Sequence, residues 1–428
     1  MAVTERCGEN EAATIPFACF CGARRIVPVE GTALDLERDF CYSPRMKMPR
    51  VFLPFVFIAA AFAAEAADSA RLAEIPARMQ GLVDRHVIAG SVTLVAQHGK
   101  TVQLAAVGKG DIANGRAMRT DDLFWIASMT KPMTAVCVMM LAEEGKLSIN
   151  DPVAKFIPEF AGLKLHGSKP PRPVTIRDLL THTSGLGDAQ IARKAPLSAR
   201  VAAYAQAPMK FTPGTRWEYC NGNFNTLGRV IENASGRSYA TFIRSRLLSP
   251  LGMNDTTFWP SSRQVARLAK AYKPDVGGLV ETSVFAVAGD LTDLSRPAMP
   301  AGGLFSTASD VARFYKMILD GGRSGGRKFL SKETVRQMIS VQTDGIRTGD
   351  VEGMSWGLGF QVVRVPQGVT AGLSAGSFGH GGSFATQSWA DPRRDAIYVL
   401  MIQRAGYTNA DVTEPRKVFQ DAVAAALR

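Results

Sequence analysis

The stretch S-M-T-K at residues 128–131, followed by the apolar run 132–147, decides the fold. Residues 133–142 are apolar on nearly every side, and a helix that is hydrophobic all round normally lies inside a core. We therefore predict a buried central helix that ends near Gly145. Pro132 comes slightly late for the harmless first helical position, which predicts a loosened first turn with Ser128 at its edge.

Ser128 and Lys131 form a pair that can carry chemistry. They are three residues apart, so on a helix they lie on one face about one turn from each other. A lysine amine that contacts a serine hydroxyl can help to activate that hydroxyl as a nucleophile. The S-x-x-K pattern alone is weak, because a chain of this length contains about one copy by chance. Other parts of the chain must support it.

Composition indicates an ordinary globular protein. The chain has 428 residues, of which 46% are hydrophobic and 21% are charged, and this length predicts about two to three domains. The formal net charge of +12 is moderate. Lysine and arginine form no stripe with interleaved aromatic residues, so we do not expect nucleic-acid binding. The histidines and cysteines show no metal-binding spacing, and we expect neither a metal nor an organic cofactor.

The first 67 residues predict an export signal. Basic residues precede an apolar run at 51–64, and Glu65, Ala66 and Ala67 follow it. This order resembles the charged region, apolar region and small-residue cleavage site of a secretory signal peptide. The run is too short to span a bilayer, so we expect cleavage near residue 66 or 67, a mature chain without a transmembrane segment, and a periplasmic or secreted protein. A signal normally begins at the terminus, which makes Met46 or Met48 a candidate start. Translation from Met1 predicts a cytoplasmic protein instead.

No disulfide framework is expected. Four of the six cysteines lie in the N-terminal 67 residues, which leaves Cys137 and Cys220. Cys137 should lie more than two turns along the central helix from Ser128, whereas Cys220 is adjacent to a candidate active-site residue, Tyr219. The geometry of a bridge between them is unfavourable.

The order of predicted elements indicates an α/β protein with two lobes. Strand patterns occur on both sides of a stretch rich in prolines and helical periodicity, at 151–299. We expect an N-terminal extension with a signal peptide at 1–67, an α/β domain built from 68–150 and 300–428, and a mainly helical domain at 151–299. The predicted helices are 70–86, 176–180, 197–207, 224–234, 239–248 and 415–427, and the predicted strands are 91–97, 101–107, 356–363, 382–390 and 396–403.

Two further segments carry groups that could assist Ser128. Tyr219 beside a lysine ammonium would have its phenolate favoured and could accept a proton from the serine, and the Asn221 amide could hold the lysine or a substrate carbonyl. His380, Gly381, Gly382 and Ser383 are predicted to open a C-terminal strand, where glycines permit close approach of a ligand and a backbone N–H could join that of Ser128 in an oxyanion hole. Taken alone, each segment fits a structural role better than a catalytic one.

A competing nucleophile is Ser374 in G-L-S-A-G, residues 372–376, which matches the G-x-S-x-G elbow of α/β-hydrolases. Only His380 follows it among the histidines, with no carboxylate between them, and no strand-turn-helix pattern surrounds it. We therefore interpret 371–379 as a loop. The remaining histidines are predicted to be structural, with His182 in a tight turn.

Taken together, S-M-T-K, L-L-T-H-T-S-G-L (179–186), P-G-T-x-W-E-Y-C-N (213–221), A-G-G-L-F-S-T-A-S-D (301–310) and H-G-G (380–382) resemble the class C β-lactamase-type serine hydrolases. That superfamily also contains family VIII carboxylesterases and D-alanyl-D-alanine peptidases. The resemblance covers most of residues 70–405 and implies an antiparallel sheet flanked by helices with a mainly helical insertion.

The resemblance also implies residue roles. Ser128 resembles the family nucleophile, Lys131 its paired lysine, Tyr219 the general base and Asn221 its amide partner. Gly381, Gly382 and Ser383 resemble the third motif, with the Ser383 N–H as the second oxyanion donor.

One departure from the family pattern bears on the substrate. His380 stands where β-lactamases of this class carry the lysine of K-T-G, and a mostly neutral imidazole holds an anion poorly near pH 7. This favours a carboxylesterase that acts on small esters lacking a carboxylate. A D-amino-acid or cell-wall peptidase, an amidase or a weak β-lactamase is the alternative within the same chemistry. An idle peptidoglycan-binding module is the alternative outside it. The sequence does not predict an oligomeric state.

Overall fold

The computed structural model describes residues 3–4, 67–284, 289–349 and 351–427. These residues belong to one compact unit. The predicted signal segment at 46–66 and four of the six cysteines lie outside the described residues. The division into domains at 68–150 with 300–428 and at 151–299 stays a prediction.

Helices occupy much of the described chain. The helices are α1 Ser69–Asp84, α2 Thr130–Glu143, α3 Ile176–Leu180, α4 Leu197–Gln206, α5 Asn221–Ser235, α6 Tyr239–Ile243, α7 Ser262–Val265, α8 Ala308–Leu319, α9 Lys332–Ile339 and α10 Glu414–Ala426. A π-helical turn, Arg244–Leu248, follows α6 where one continuous helix was predicted. None of the helices within the described residues is long and apolar enough to cross a bilayer.

Eight of the sixteen strands in the described residues belong to a single sheet. The strands are β1 Val3–Thr4, β2 Gly90–Gln97, β3 Lys100–Asp111, β4 Arg116–Ala117, β5 Phe124–Trp125, β6 Gln190–Ile191, β7 Ala271–Asp275, β8 Gly278–Thr282, β9 Phe305–Ser306, β10 Arg323–Ser324, β11 Arg327–Lys328, β12 Met354–Trp356, β13 Gln361–Val363, β14 Phe378–Gly381, β15 Gln387–Asp391 and β16 Ala396–Met401. The eight-stranded sheet has the order β12-β13-β14-β15-β16-β2-β3-β4, and its neighbouring strands are antiparallel.

The centre of the sheet joins the two ends of the chain. Strand β16 pairs with β2, with Met401 opposite Val92. Successive residues of β16 point to opposite faces: Ile397 and Val399 enter the core that contains α2, whereas Tyr398 enters a second core with α1 and α10. Both faces are covered, which explains why β16 is apolar throughout. The predicted α/β class with an antiparallel sheet and flanking helices is confirmed.

Two predicted strands are broken by glycines. The strand predicted at 356–363 is two short strands, because Gly359 has φ +84° and the Gly357 N–H bonds to the Phe360 carbonyl at 2.8 Å. The strand predicted at 382–390 begins only at Gln387. Its first five residues form a turn instead, and the Gly382 N–H closes that turn on the Thr386 carbonyl at 2.8 Å.

Candidate active site

Ser128 lies in a tight turn at the start of the central helix. A 3₁₀ turn, Ala127–Met129, leads into α2, so the loosened first turn predicted from Pro132 is present. Ala127 has φ +45°, a conformation in which L-residues are uncommon. The Thr130 hydroxyl donates to the Ala127 carbonyl at 2.7 Å and stabilises the turn. Ser128 is half-buried, whereas residues 129–141 are buried, so the turn presents one hydroxyl at the edge of the core.

Lys131 is fully buried and connects three segments of the chain. Its Nζ donates to Ser128 Oγ at 3.0 Å, to Asn221 Oδ1 at 2.8 Å and to the Ala301 carbonyl at 2.7 Å. Each of these three acceptors is an uncharged oxygen. The predicted contact between lysine and serine is present. Of the two partners proposed for the Asn221 amide, the lysine or a substrate carbonyl, the structure shows the lysine. The Ala301 carbonyl was not predicted, because a backbone acceptor leaves no signature in side-chain identity.

Tyr219 reaches the pair from the segment just before α5. Its hydroxyl shares a hydrogen bond with Ser128, and Lys131 Nζ lies 4.6 Å from the centre of its ring. Burial raises the pKa of Tyr219 above its ordinary value, although the hydrogen bond with Ser128 opposes that shift. The neutral phenol is therefore the resting form. The expectation that the lysine would favour the phenolate is wrong, because desolvation disfavours the charged form more strongly.

The imidazole ring of His182 packs against the ring of Tyr219. The two rings stack with centroids 4.5 Å apart and an interplanar angle of 29°. His182 Nδ1 accepts the Cys220 N–H at 3.1 Å and lies 3.0 Å from Asn223 Nδ2. Burial, followed by the nearby Lys131, holds the pKa of His182 well below its ordinary value. His182 has φ +59°, as the predicted tight turn requires, but its packing beneath the tyrosine was not predicted.

The third motif ends a strand, contrary to the prediction that it opens one. His380 and Gly381 are the last residues of β14, and Ser383 is exposed in the following turn, residues 382–386. A Cβ on Gly382 would lie 2.8 Å from the Ile126 carbonyl and 2.1 Å from Thr386 Oγ1. Glycine is needed there because its backbone packs directly against the segment that leads into Ser128.

His380 is a neutral group in this site. It is 2% exposed, and its ring lies 6.3 Å from that of Tyr219, centroid to centroid. Its Nδ1 lies 2.7 Å from the Gly381 carbonyl, so Nδ1 carries a proton and donates it. Burial, assisted by the positive charge of Lys131, lowers the pKa of His380 to about 3. The imidazole is therefore uncharged near pH 7 and offers no cation to a substrate carboxylate.

Ser374 lies away from this constellation. Its N–H donates to Asp391 Oδ2 at 3.1 Å, and its hydroxyl lies 3.4 Å from Arg394 Nη1. These contacts belong to the turn between β15 and β16, at the opposite end of β15 from the third motif. The interpretation of this stretch as a loop agrees with the structure up to residue 377, since β14 begins at Phe378.

Among the described residues, the remaining sulfur and imidazole groups form no second centre. Cys137 and Cys220 are both buried and are not joined by a disulfide bond, as predicted. His86, His98 and His166 all have positive φ, which fits turn positions. Within the described residues, no group of histidine, cysteine, aspartate and glutamate side chains could hold a metal ion.

The fold and the clustered serine, lysine and tyrosine define a serine hydrolase. Comparison with protein families matches residues 75–422 to the beta-lactamase family. The chain belongs to the beta-lactamase family, as the order of its motifs predicted.

Its relatives include esterases and penicillin-binding proteins. The chain is 31% identical over 372 residues to the esterase EstB of Burkholderia gladioli, covering 78% of this chain and 92% of that protein. It is 30% identical over 364 residues to penicillin-binding protein 4 of Amycolatopsis lactamdurans, covering 80% and 93%. Among solved structures, EstCE1, described as a hydrolase with promiscuous acyltransferase activity, superposes with a TM-score of 0.72 at 23% identity, covering 83% of this chain and 99% of that one. This last similarity supports the fold.

Proposed function

We propose that the protein hydrolyses small carboxylic esters by two-step acyl transfer through a covalent intermediate on Ser128. The observation that carries the proposal is the half-buried serine hydroxyl held 3.0 Å from the Nζ of a fully buried lysine. Tyr219 hydrogen-bonds the same hydroxyl. Two groups able to exchange protons thus contact one potential nucleophile, as covalent catalysis requires.

In the first step, Ser128 Oγ attacks the ester carbonyl carbon and its proton passes to the pair formed by Lys131 and Tyr219. The tetrahedral intermediate then collapses, the bond to the alcohol oxygen breaks, and the same pair returns the proton to the leaving alcohol. Because Tyr219 rests as a phenol, it can only relay a proton, giving one up as it takes one. The proton from Ser128 therefore ends on Lys131, which acts at this step as the neutral amine. The pair titrates as a unit.

In the second step, water attacks the acyl carbon and the bond to Ser128 Oγ breaks. The carboxylic acid leaves and the serine regains its proton. The N–H groups of Ser128 and Ser383 are assigned to the oxyanion in both steps. Packing of Gly382 against the Ile126 carbonyl supports this assignment, because it brings the turn that carries Ser383 next to the nucleophile turn. Asn221, His380, Gly381 and Gly382 are assigned to the wall that receives the substrate.

The neutral His380 supports esters over anionic substrates. A buried imidazole whose pKa is about 3 cannot pair with the carboxylate of a β-lactam or of a C-terminal D-alanine. The similarity to EstB, an esterase by its printed name, supports the same choice.

The second candidate is a D-amino-acid or cell-wall peptidase, an amidase or a weak β-lactamase. It is favoured by the similarity to penicillin-binding protein 4, and it would use the same serine, lysine and tyrosine. A non-catalytic peptidoglycan-binding module is less well supported, because a hydroxyl bonded to both Lys131 and Tyr219 is not needed for binding alone.

The test compares three substrates with two serine variants. Turnover of p-nitrophenyl butyrate, nitrocefin and a D-alanyl dipeptide is measured for the unaltered protein, for Ser128→Ala and for the matched control Ser374→Ala. We expect the butyrate ester to be the best substrate, Ser128→Ala to be inactive and Ser374→Ala to keep its activity. A fluorophosphonate label should map to the peptide containing Ser128. Label on Ser374, or ester turnover surviving in Ser128→Ala, would overturn the proposal.

We also propose that the protein is exported, on the evidence of the charged, apolar and small-residue segments at 45–67. The test is N-terminal sequencing of protein recovered from the periplasm or medium after expression from Met1 and from Met46. Export predicts a mature terminus near residue 67 or 68. An uncleaved cytoplasmic product from both starts would contradict export.

A further inference from the structure

A buried arginine binds the turn assigned to the oxyanion. Arg416 of α10 is 0% exposed. Its Nη2 donates to the carbonyls of Gly382 at 3.1 Å and Thr386 at 2.7 Å, and its Nε donates to the carbonyl of Ala385 at 3.4 Å. These three carbonyls lie on both sides of Ser383. One guanidinium therefore fixes both ends of the turn.

An acidic partner holds the guanidinium in place. Arg416 Nη1 bonds to Asp411 Oδ1, and the second oxygen of that carboxylate accepts Gln361 Nε2 at 3.1 Å. Gly381 leaves room for the pair, because a Cβ there would lie 2.4 Å from Arg416 Nη2 and 2.6 Å from Asp411 Oδ1. This explains the first glycine of the third motif. The second glycine packs against the segment before Ser128, as described above.

We propose that Arg416 is a positioning residue that aims the Ser383 N–H at the developing oxyanion; this inference rests on the proposed function. An oxyanion donor contributes only if it already points at the position of the negative charge. Ser383 is exposed, so its own side chain does not anchor the turn within the core. The orientation of its N–H depends on the neighbouring backbone, and Arg416 binds that backbone at three points.

Arginine suits this task better than lysine. A guanidinium is planar and presents five N–H donors in a fixed geometry, whereas an ammonium is a compact charge on a flexible stem. Arg416→Lys keeps a positive charge near Asp411 but cannot satisfy three carbonyls and one carboxylate in the same arrangement. This substitution therefore loosens the turn without leaving Asp411 unpaired.

The test measures ester hydrolysis and inhibition by an alkyl trifluoromethyl ketone, which forms a tetrahedral oxyanion adduct on a serine. Loss of a whole oxyanion donor costs about 10²- to 10³-fold in kcat, so a loosened donor should cost about 10- to 100-fold. For Arg416→Lys we expect kcat to fall by that factor, KM to stay within about twofold, and the inhibition constant of the ketone to rise with the loss in kcat/KM.

The matched control is Arg394→Lys, at the far end of β15. Arg394 Nη1 also binds a backbone carbonyl, that of Gly372 at 2.9 Å, and a carboxylate oxygen of Asp391 at 3.0 Å. This variant should keep the kcat and the inhibition constant of the unaltered protein. An equal loss in Arg394→Lys would overturn the specific role of Arg416.

Thermal unfolding separates positioning from simple stabilisation. A lower Tm with kcat and the inhibition constant unchanged in Arg416→Lys would overturn the proposal. If that variant does not fold, Asp411→Asn decides, because it keeps the arginine and weakens its anchor. A loss of about 3- to 10-fold in kcat at constant KM supports the proposal, and no loss overturns it. Absence of ester turnover by the unaltered protein would instead overturn the proposed function.

Discussion

Replacing Lys131 with methionine should separate the stability of the protein from its activity. Methionine has nearly the same length and no charge. The lysine amine is fully buried and donates to Ser128 Oγ, Asn221 Oδ1 and the Ala301 carbonyl. Lys131→Met removes all three hydrogen bonds while the apolar part of the side chain stays in the core.

The expected change in the free energy of unfolding is small. The Ala301 carbonyl and the Asn221 amide each lose a donor, and each unsatisfied buried acceptor costs about 1–3 kcal/mol. Burial of the ammonium, which itself costs several kcal/mol, is removed at the same time. The two changes oppose each other, so we expect a net change within about 2 kcal/mol in either direction. The effect of Lys131→Met on kcat has no such opposing contribution. Loss of a proton acceptor should lower kcat by about 10²- to 10⁴-fold.

The assays are urea unfolding followed by circular dichroism and hydrolysis of p-nitrophenyl butyrate under saturating substrate. Lys100→Met, at an exposed position of the β2–β3 hairpin, is the matched control and should change neither quantity. A folded Lys131→Met variant that keeps kcat within tenfold of the unaltered protein would refute the assignment of the amine to proton transfer.

Three further predictions follow from the same contacts. Gly382→Ala places a Cβ 2.1 Å from Thr386 Oγ1 and 2.8 Å from the Ile126 carbonyl, so kcat should fall at least tenfold and stability by about 1–3 kcal/mol. In the control Gly81→Ala, the new Cβ in α1 meets nothing within 4 Å, and the free energy of unfolding measured in urea should rise by about 0.5–1 kcal/mol. An equal loss of stability in both variants would contradict the packing argument. Tyr219→Phe keeps the ring on His182 but removes the hydroxyl, so kcat should fall by about 10²-fold or more with Tm little changed, and unchanged kcat would exclude the tyrosine from proton transfer. Because the pKa of His380 is lowered to about 3, only the unfolded state takes up this proton between pH 6.5 and 3, and stability falls as pH falls through that range. Between pH 7.5 and 5, His380 should lower the free energy of unfolding by about 2 kcal/mol. His380→Phe should abolish this part of the pH dependence measured by urea unfolding. An unaltered pH dependence in that variant would contradict the lowered pKa of His380.

The parts of the fold that follow from local pattern were predictable from sequence. The central helix was predicted because apolar residues surround it on every side, and α3 was predicted to the residue at 176–180. The hairpin of β2 and β3 was predicted from two strand-like runs around His98, which has φ +50°. Strand ends near glycine were predicted less well, because glycine permits both a strand and a turn. At Gly382 the choice depends on packing against Ile126, which is distant in sequence.

The site was predictable only where it depends on side-chain identity. Ser128, Lys131 and Tyr219 could be proposed because an alcohol, an amine and a phenol have recognisable chemistry, and the structure brings these three groups together. The Ala301 carbonyl and Arg416 were missed for different reasons. The first is a backbone atom. The second is one of many arginines in a basic chain, and what distinguishes it is that its three carbonyl partners lie in the turn that carries Ser383. The glycine pair Gly381 and Gly382 was the available signal that something must pack closely against that turn.

The contacts of the turn that carries Ser128 explain why the motifs of the site come from distant parts of the chain. The turn at Ala127 has a positive φ, and such a conformation persists only when its surroundings determine it. Trp125 Nε1 donates to the Gly302 carbonyl at 2.7 Å, the Leu304 N–H donates to Thr130 Oγ1 at 3.2 Å, and Gly382 packs on the residue before Ala127. The segments that hold the turn are thus the same segments that supply the lysine acceptor and the predicted oxyanion donor. A substitution that relaxes the turn should therefore lower activity even where it leaves Ser128, Lys131 and Tyr219 intact.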